Sequence, residues 1–178
     1  MHLRIVWAGI LTSGLLAAAT IEKVAGGDKP PGGPASETSI DKPMGVVFDP
    51  DGNWYIPEWR RNRIIKVDTR GITSVFAGTG DKSYGGDGGP AIKASFGLPH
   101  DTVIGNGVLY FADTQNAAAR AIDLKTGIIT TVLGTGRRGD GPESDPLRCA
   151  LSRPHGVLAA GGVLYVADSE AHRIRVLK

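Results

Sequence analysis

Tyr55, Tyr110 and Tyr165 stand 55 residues apart, each inside a run of the form Gly-x-x-Tyr-x-x-Asp/Glu. Ahead of each run lies a proline, at Pro43, Pro99 and Pro154, in steps of 56 and 55. A fixed period of this length means one supersecondary unit built several times, so the architecture of the chain is the architecture of that unit.

The second copy reads most clearly. Asp101 to Ile104 is a short apolar strand, Gly105-Asn106-Gly107 is a turn that tolerates positive φ, and Val108 to Asp113 is a second strand. Two such runs around a Gly/Asn turn predict a hairpin. Arg120 to Asp123 and the β-branched run Ile128 to Leu133 give a third and fourth strand. The first copy supplies Met44 to Asp49, Trp54 to Glu58, Arg63 to Asp68 and Ile72 to Ala77; the third supplies Gly156 to Ala159, Val163 to Asp168 and Arg173 to Leu177. Long Gly/Pro segments separate the copies, and no apolar period of 3.6 is sustained beyond residue 19, so the chain is expected to be all-β. Four antiparallel strands per unit, with polar connectors, is the blade of a β-propeller.

Residues 1–19 read as an export signal: Arg4, an apolar stretch from Ile5 through Leu16, then Ala17-Ala18-Ala19. The apolar run is shorter than the ~20 residues of a spanning helix, the alternative being a retained N-terminal anchor. The expected location is periplasmic or extracellular, with no membrane attachment once the leader is cleaved. Removing it takes the formal charge from +2 to +1, which gives no long-range field for nucleic acid. Cys149 is the single cysteine and has no internal disulfide partner, so burial is the expected state.

Phe76 to Gly80 (Phe-Ala-Gly-Thr-Gly), Gly85 to Ala91 (Gly-Gly-Asp-Gly-Gly-Pro-Ala), Arg153 to Val157 (Arg-Pro-His-Gly-Val) and Leu164 to Arg175 carry a family resemblance. From Thr20 to Lys178 the chain resembles NHL repeats, which form propellers that are most often six-bladed. The repeats fall at about 43–98, 99–153 and 154–178. Two departures stand out. Pro57 replaces a small residue and suggests an edge or a bulge, and Ala117-Ala118-Ala119 stands where the other copies have Asn62-Arg63-Ile64 and His172-Arg173-Ile174.

Residues 20–26 match the fourth strand of a repeat, as in Ser74 to Gly78, while the last repeat offers only three strands. The expected object is three blades, half of a six-bladed ring, with 20–26 phased to complete the final blade. Three blades are too few to close around an axis. Either a homodimer completes the ring, or the chain is a fragment or shortened relative of a six-bladed protein.

His100 and His155 follow the motif prolines at the start of a first strand, where a propeller lines its channel; Met44 takes that place in the first copy. The resemblance extends to peptidylglycine amidating lyases, in which histidines at this Pro-His position bind catalytic zinc. It thereby marks His100 and His155 as candidate ligands for zinc or calcium, no cofactor being established otherwise. The alternative is that they hydrogen-bond backbone at the channel mouth. Glu58, Asp113 and Asp168 end the second strands in register, which reads as a structural role accepting hydrogen bonds from turn amides or from Arg63 and Arg173. Asp49-Pro-Asp51-Gly-Asn53 reads as a hairpin turn, because Arg60 and Arg61 stand where a calcium loop needs its glutamate. Gly85 to Gly89 reads as a flexible inter-blade loop, with no phosphate-binding Lys-Ser/Thr after it. No catalytic constellation is evident. The expectation is a binding or scaffold module for a protein, glycan or small ligand, the alternative being a metal-dependent hydrolase or lyase of the gluconolactonase or amidating-lyase type.

Overall fold

The computed structural model describes residues 20–178; the expected leader lies outside the described residues. Eleven strands form three antiparallel sheets. The first holds β1 (Val47–Phe48), β2 (Trp54–Glu58), β3 (Arg63–Val67) and β4 (Thr73–Ala77). The second holds β5 (Pro99–Gly105), β6 (Val108–Asp113), β7 (Ala118–Asp123) and β8 (Ile129–Gly134). The third holds β9 (Pro154–Ala160), β10 (Val163–Asp168) and β11 (Arg173–Leu177). Strand order follows chain order in every sheet, and the first strands pack side by side, β5 between β1 and β9. These are propeller blades.

Alternation along each second strand builds the packing between blades. Tyr55 shares a buried cluster with Leu109, Phe111 and Ile122 of the next blade. One repeat later, Tyr110 packs on a cluster holding Leu164, Val166 and Leu151. The tyrosine face of one blade therefore meets the Leu/Phe/Val face of the next, since side chains along a strand point to opposite faces with period two. Phe96 and Phe111 anchor the first interface with ring centroids 4.9 Å apart and planes tilted by 59°. Cys149 is buried in the second cluster, where burial pushes its thiol up.

Pro57 stands at an irregularity of the kind expected: between the Val47–Tyr55 and Pro43–Glu58 pairs the register of the first strand against β2 shifts by one residue. Pro57 lies on β2, inside the sheet, opposite Ile64 of β3. The Met44 N–H donates to its carbonyl, so its ladder side faces the first strand, where proline has no N–H to return. β1 is accordingly cut to two residues, against seven in β5 and β9.

Residues 20–26 form no strand and do not reach β11 within the single chain. They run alongside the first blade instead, with Ala25 packed near Ile56 and Ile65. Among the described residues, no helix is long and apolar enough to cross a membrane.

Candidate functional site

Each blade buries one carboxylate completely, and each carboxylate grips the chain just ahead of a first strand. Glu58 accepts the Asp41 N–H at 2.8 Å. Asp113 accepts the Gly97 N–H at 2.7 Å, and Asp168 accepts those of Ser152 and Arg153 at 2.9 and 2.8 Å. The segments so held lead into Met44, His100 and His155. The repeated acids are structural, and what they position is the start of every innermost strand.

Their arginine partners differ from the expected set. Arg63 pairs with Glu58, the residue opposite it in register. Asp113 and Asp168 are one methylene shorter and take partners two residues further along the third strand, Arg120 at 3.2 Å and Arg175 at 3.5 Å. Arg173, the expected partner of Asp168, lies at the surface against Asp140. Arg173→Ala should therefore shift stability by no more than about 1 kcal/mol. Urea denaturation reads this directly, and a loss of several kcal/mol would restore the expected pairing of Arg173 with Asp168.

The buried arginines also correct the reading of the glycine-rich loops. Arg120 reaches out of the core to the Gly85 carbonyl at 3.1 Å and to Asp87 at 2.8 Å, and its guanidinium sits 5.1 Å over the Tyr84 ring. Arg175 grips Asp140 and Glu143 in the same way. Each loop is tethered to the blade it precedes. Asp49, in turn, accepts from the Asn53 amide groups and from the Tyr55 hydroxyl at 2.9 Å, which makes 49–53 a tied hairpin turn.

His100 and His155 come together. Their ring centroids lie 4.7 Å apart and their planes meet edge to face at 86°. Burial is the first cause that lowers both values; His155 further lowers that of His100, and Arg153 that of His155. Burial thus favours the neutral form of both imidazoles. Around them a hollow of about 250 Å³ is lined by Lys42, Met44, Trp59 and Arg153. The Lys42 ammonium stands 5.2 Å over the Trp59 ring, and Arg153 pairs with Glu170 at 2.9 Å.

Sequence reasoning missed Lys42, Trp59 and Arg153. One signal was available: Lys42 and Arg153 each directly precede a motif proline, as Leu98 does in the second copy. Asp101 was missed too. It occupies the place of Gly45 and Gly156 in the other repeats, and its carboxylate accepts the Val157 N–H at 3.1 Å, tying β5 to β9 beside the histidines. No group of three or more His, Cys, Asp or Glu side chains is poised for a metal among the described residues. Two imidazoles fall short of a zinc site, which needs at least three protein ligands. The donor set of one chain does not fit the implied metal.

The family model for the NHL repeat matches residues 151–177. NHL repeat-containing protein 2 of Gallus gallus is 31% identical over 108 residues, covering 55% of this chain and 15% of that protein. A structural genomics protein of unknown function from Bacteroides thetaiotaomicron VPI-5482 superposes with a TM-score of 0.66 at 20% identity, covering 74% of this chain and 34% of that one. An auxiliary nutrient binding protein from the same organism superposes with a TM-score of 0.61 at 22% identity, covering 75% and 36%. The two structural likenesses show the fold. This chain spans roughly a seventh of the curated relative and about a third of each solved structure.

Proposed function

We propose that this chain, which belongs to the NHL-repeat β-propeller family, works as an exported binding module whose channel mouth takes a small ligand, or a side chain, bearing an anionic group. Export rests on the leader read at residues 1–19. The observation that carries the binding site is the hollow itself. Lys42 and Arg153 bring positive charge to it, Trp59 an apolar face, and His100 and His155 polar ring atoms. A few polar groups converging on a concave surface is the ordinary form of a small-molecule site. A general base is also available in a neutral imidazole, but binding needs only what the hollow already holds.

A thermal-shift screen with matched anionic, neutral and cationic compounds tests the reading. Stabilisation is expected among the anions and should disappear in the Lys42→Ala, Arg153→Ala double variant. Hits that ignore charge, or that survive the double variant, would sink the proposal. The pH dependence has a definite sign. Both histidine values lie below the ordinary 6.5, so anion affinity should be flat near pH 7 and rise only as pH falls below about 6.5 and the rings gain charge. Isothermal titration of the best anion across that range, with His100→Ala as the control, checks it. An affinity that falls on acidification contradicts an anionic ligand.

A further inference from the structure

The guanidinium that the hollow offers to an anion already holds one. Arg153 Nη1 donates to Glu170 Oε1 at 2.9 Å, and Arg138 Nη1 donates to Glu170 Oε2 at 3.1 Å. Glu170 stands in the turn between β10 and β11, two residues past the buried Asp168. Arg138 comes from the glycine-rich loop ahead of β9, and Arg153 directly precedes that strand. The hydrogen bond from Arg153 is the first cause that holds the Glu170 carboxyl below its usual range, so the group stays charged. The three side chains remain open to water, at 47% for Arg138, 35% for Arg153 and 43% for Glu170. Solvent-exposed ion pairs of this kind contribute little, which leaves the Arg153 pairing open to exchange.

The repeat shows that the acid goes with the arginine. The position before the motif proline holds Lys42, Leu98 and Arg153 in turn, and the position two residues past the buried carboxylate holds Arg60, Gln115 and Glu170. The first blade is basic at both places and the second uncharged at both, so the third alone sets an acid beside its cation. Lys42 rests instead on the Trp59 ring. Glu170 also acts on the hollow itself: burial and then Arg153 lower the His155 value, and Glu170 raises it.

We infer that Glu170 is a resident competitor at this site, and that the ligand is a carboxylate which takes its place on Arg153. The inference rests on the anion-binding reading of the hollow and names the class of anion. Arg153 is already answered by a carboxylate, and Glu170 keeps Arg138 as a partner when it gives way. Its negative charge then stays beside the ligand. Asp101 adds another next to His100, where it opposes the lowering by burial and by His155. Two fixed negative charges at the rim disfavour a phosphate dianion more than a singly charged carboxylate. Trp59 and Met44 line the same hollow, which suits an apolar or aromatic body on that carboxylate.

Isothermal titration of phenylacetate and of phenyl phosphate into the purified chain, at a pH where the phosphate is doubly charged, tests this. Phenylacetate should bind the more tightly of the two. Glu170→Gln removes the competing charge from an exposed turn and should tighten phenylacetate about five- to tenfold. In an Arg153→Ala background the same change should give no gain, whereas a general benefit from one fewer negative charge would persist there. An affinity that Glu170→Gln leaves unchanged or weakens overturns the inference and leaves the anion-binding reading standing, with Glu170 merely positioning Arg153. So does a gain that survives Arg153→Ala, or tighter binding of phenyl phosphate. If neither compound binds the natural chain or Glu170→Gln, the reading and the inference fall together.

Discussion

Arg120→Leu should cost about 3–5 kcal/mol of folding stability, the range for removing one partner of a buried ion pair. Arg120 and Asp113 are both fully buried, and among the described residues Arg120 is the only cation that Asp113 touches, the other contacts being the Gly97 N–H and the Asn116 amide. Leucine would fill much of the volume and leave the carboxylate unanswered. The Gly85 carbonyl and Asp87 would lose their tether at the same time. Urea denaturation at fixed protein concentration measures the loss, and a value below 1 kcal/mol would show that the pair is not what holds the blade. Adding Asp113→Asn to the same chain should recover part of the loss, because the stranded charge goes with it.

The pH dependence of Asp113 follows. Burial raises its carboxyl from 3.8 to about 6, against the lowering effect of Asn116, Gly97 and Arg120. A carboxyl raised by folding contributes stability that is present below its unfolded value and is lost as pH rises through about 6. The deficit of Arg120→Leu should therefore be smaller at pH 4 than at pH 7. A deficit that grows on acidification would mean that burial does not dominate this site.

Gly134→Ala is expected to cost about 3 kcal/mol, combining backbone strain with overpacking. At φ 108° this residue is in a region that L side chains rarely adopt, and an added Cβ would lie 2.4 Å from the Ala117 carbonyl oxygen and 2.7 Å from the Ala118 Cα. Both obstacles are backbone, so no rotamer change relieves them. Gly127 provides the comparison: its φ is 70° but the space beside it is open, and Gly127→Ala should cost only about 1 kcal/mol. Equal losses at the two positions, in paired urea curves, would show that φ alone governs the cost. The same close approach recurs at Gly78 against Asn62, so the constraint belongs to the blade and not to one loop.

Much of the blade was legible before any coordinates, because alternation and turn chemistry are local. The hairpin through Gly105-Asn106-Gly107 and the third strand of every copy fall where the pattern puts them. The irregularity at Pro57 was legible, but its direction was not. Proline forbids a donor, but only the sheet says which neighbour goes without it, and here that is β1. Arg173 was preferred to Arg175 because it recurs in register with Arg63 of the first copy. Which of the two arginines on β11 is buried against Asp168 is decided by the packing around the strand, which the repeat pattern does not carry. The glycine-rich loops looked free because glycine signals freedom, while the arginine that ties each of them lies more than thirty residues away.

The site divides in the same manner. His100 and His155 were visible as a repeated Pro-His, but their edge-to-face contact depends on β5 and β9 packing together. Lys42, Trp59 and Arg153 come from three loops whose convergence no spacing reveals. The 55-residue step, by itself, determined the blade, its strand order and the three-blade count, since a period of two within strands and a fixed period between them are properties of the chain alone. Tertiary structure decided which arginine is buried and what the two histidines meet. Those are set by distances between segments far apart in sequence, where desolvation and packing act and local pattern has no reach.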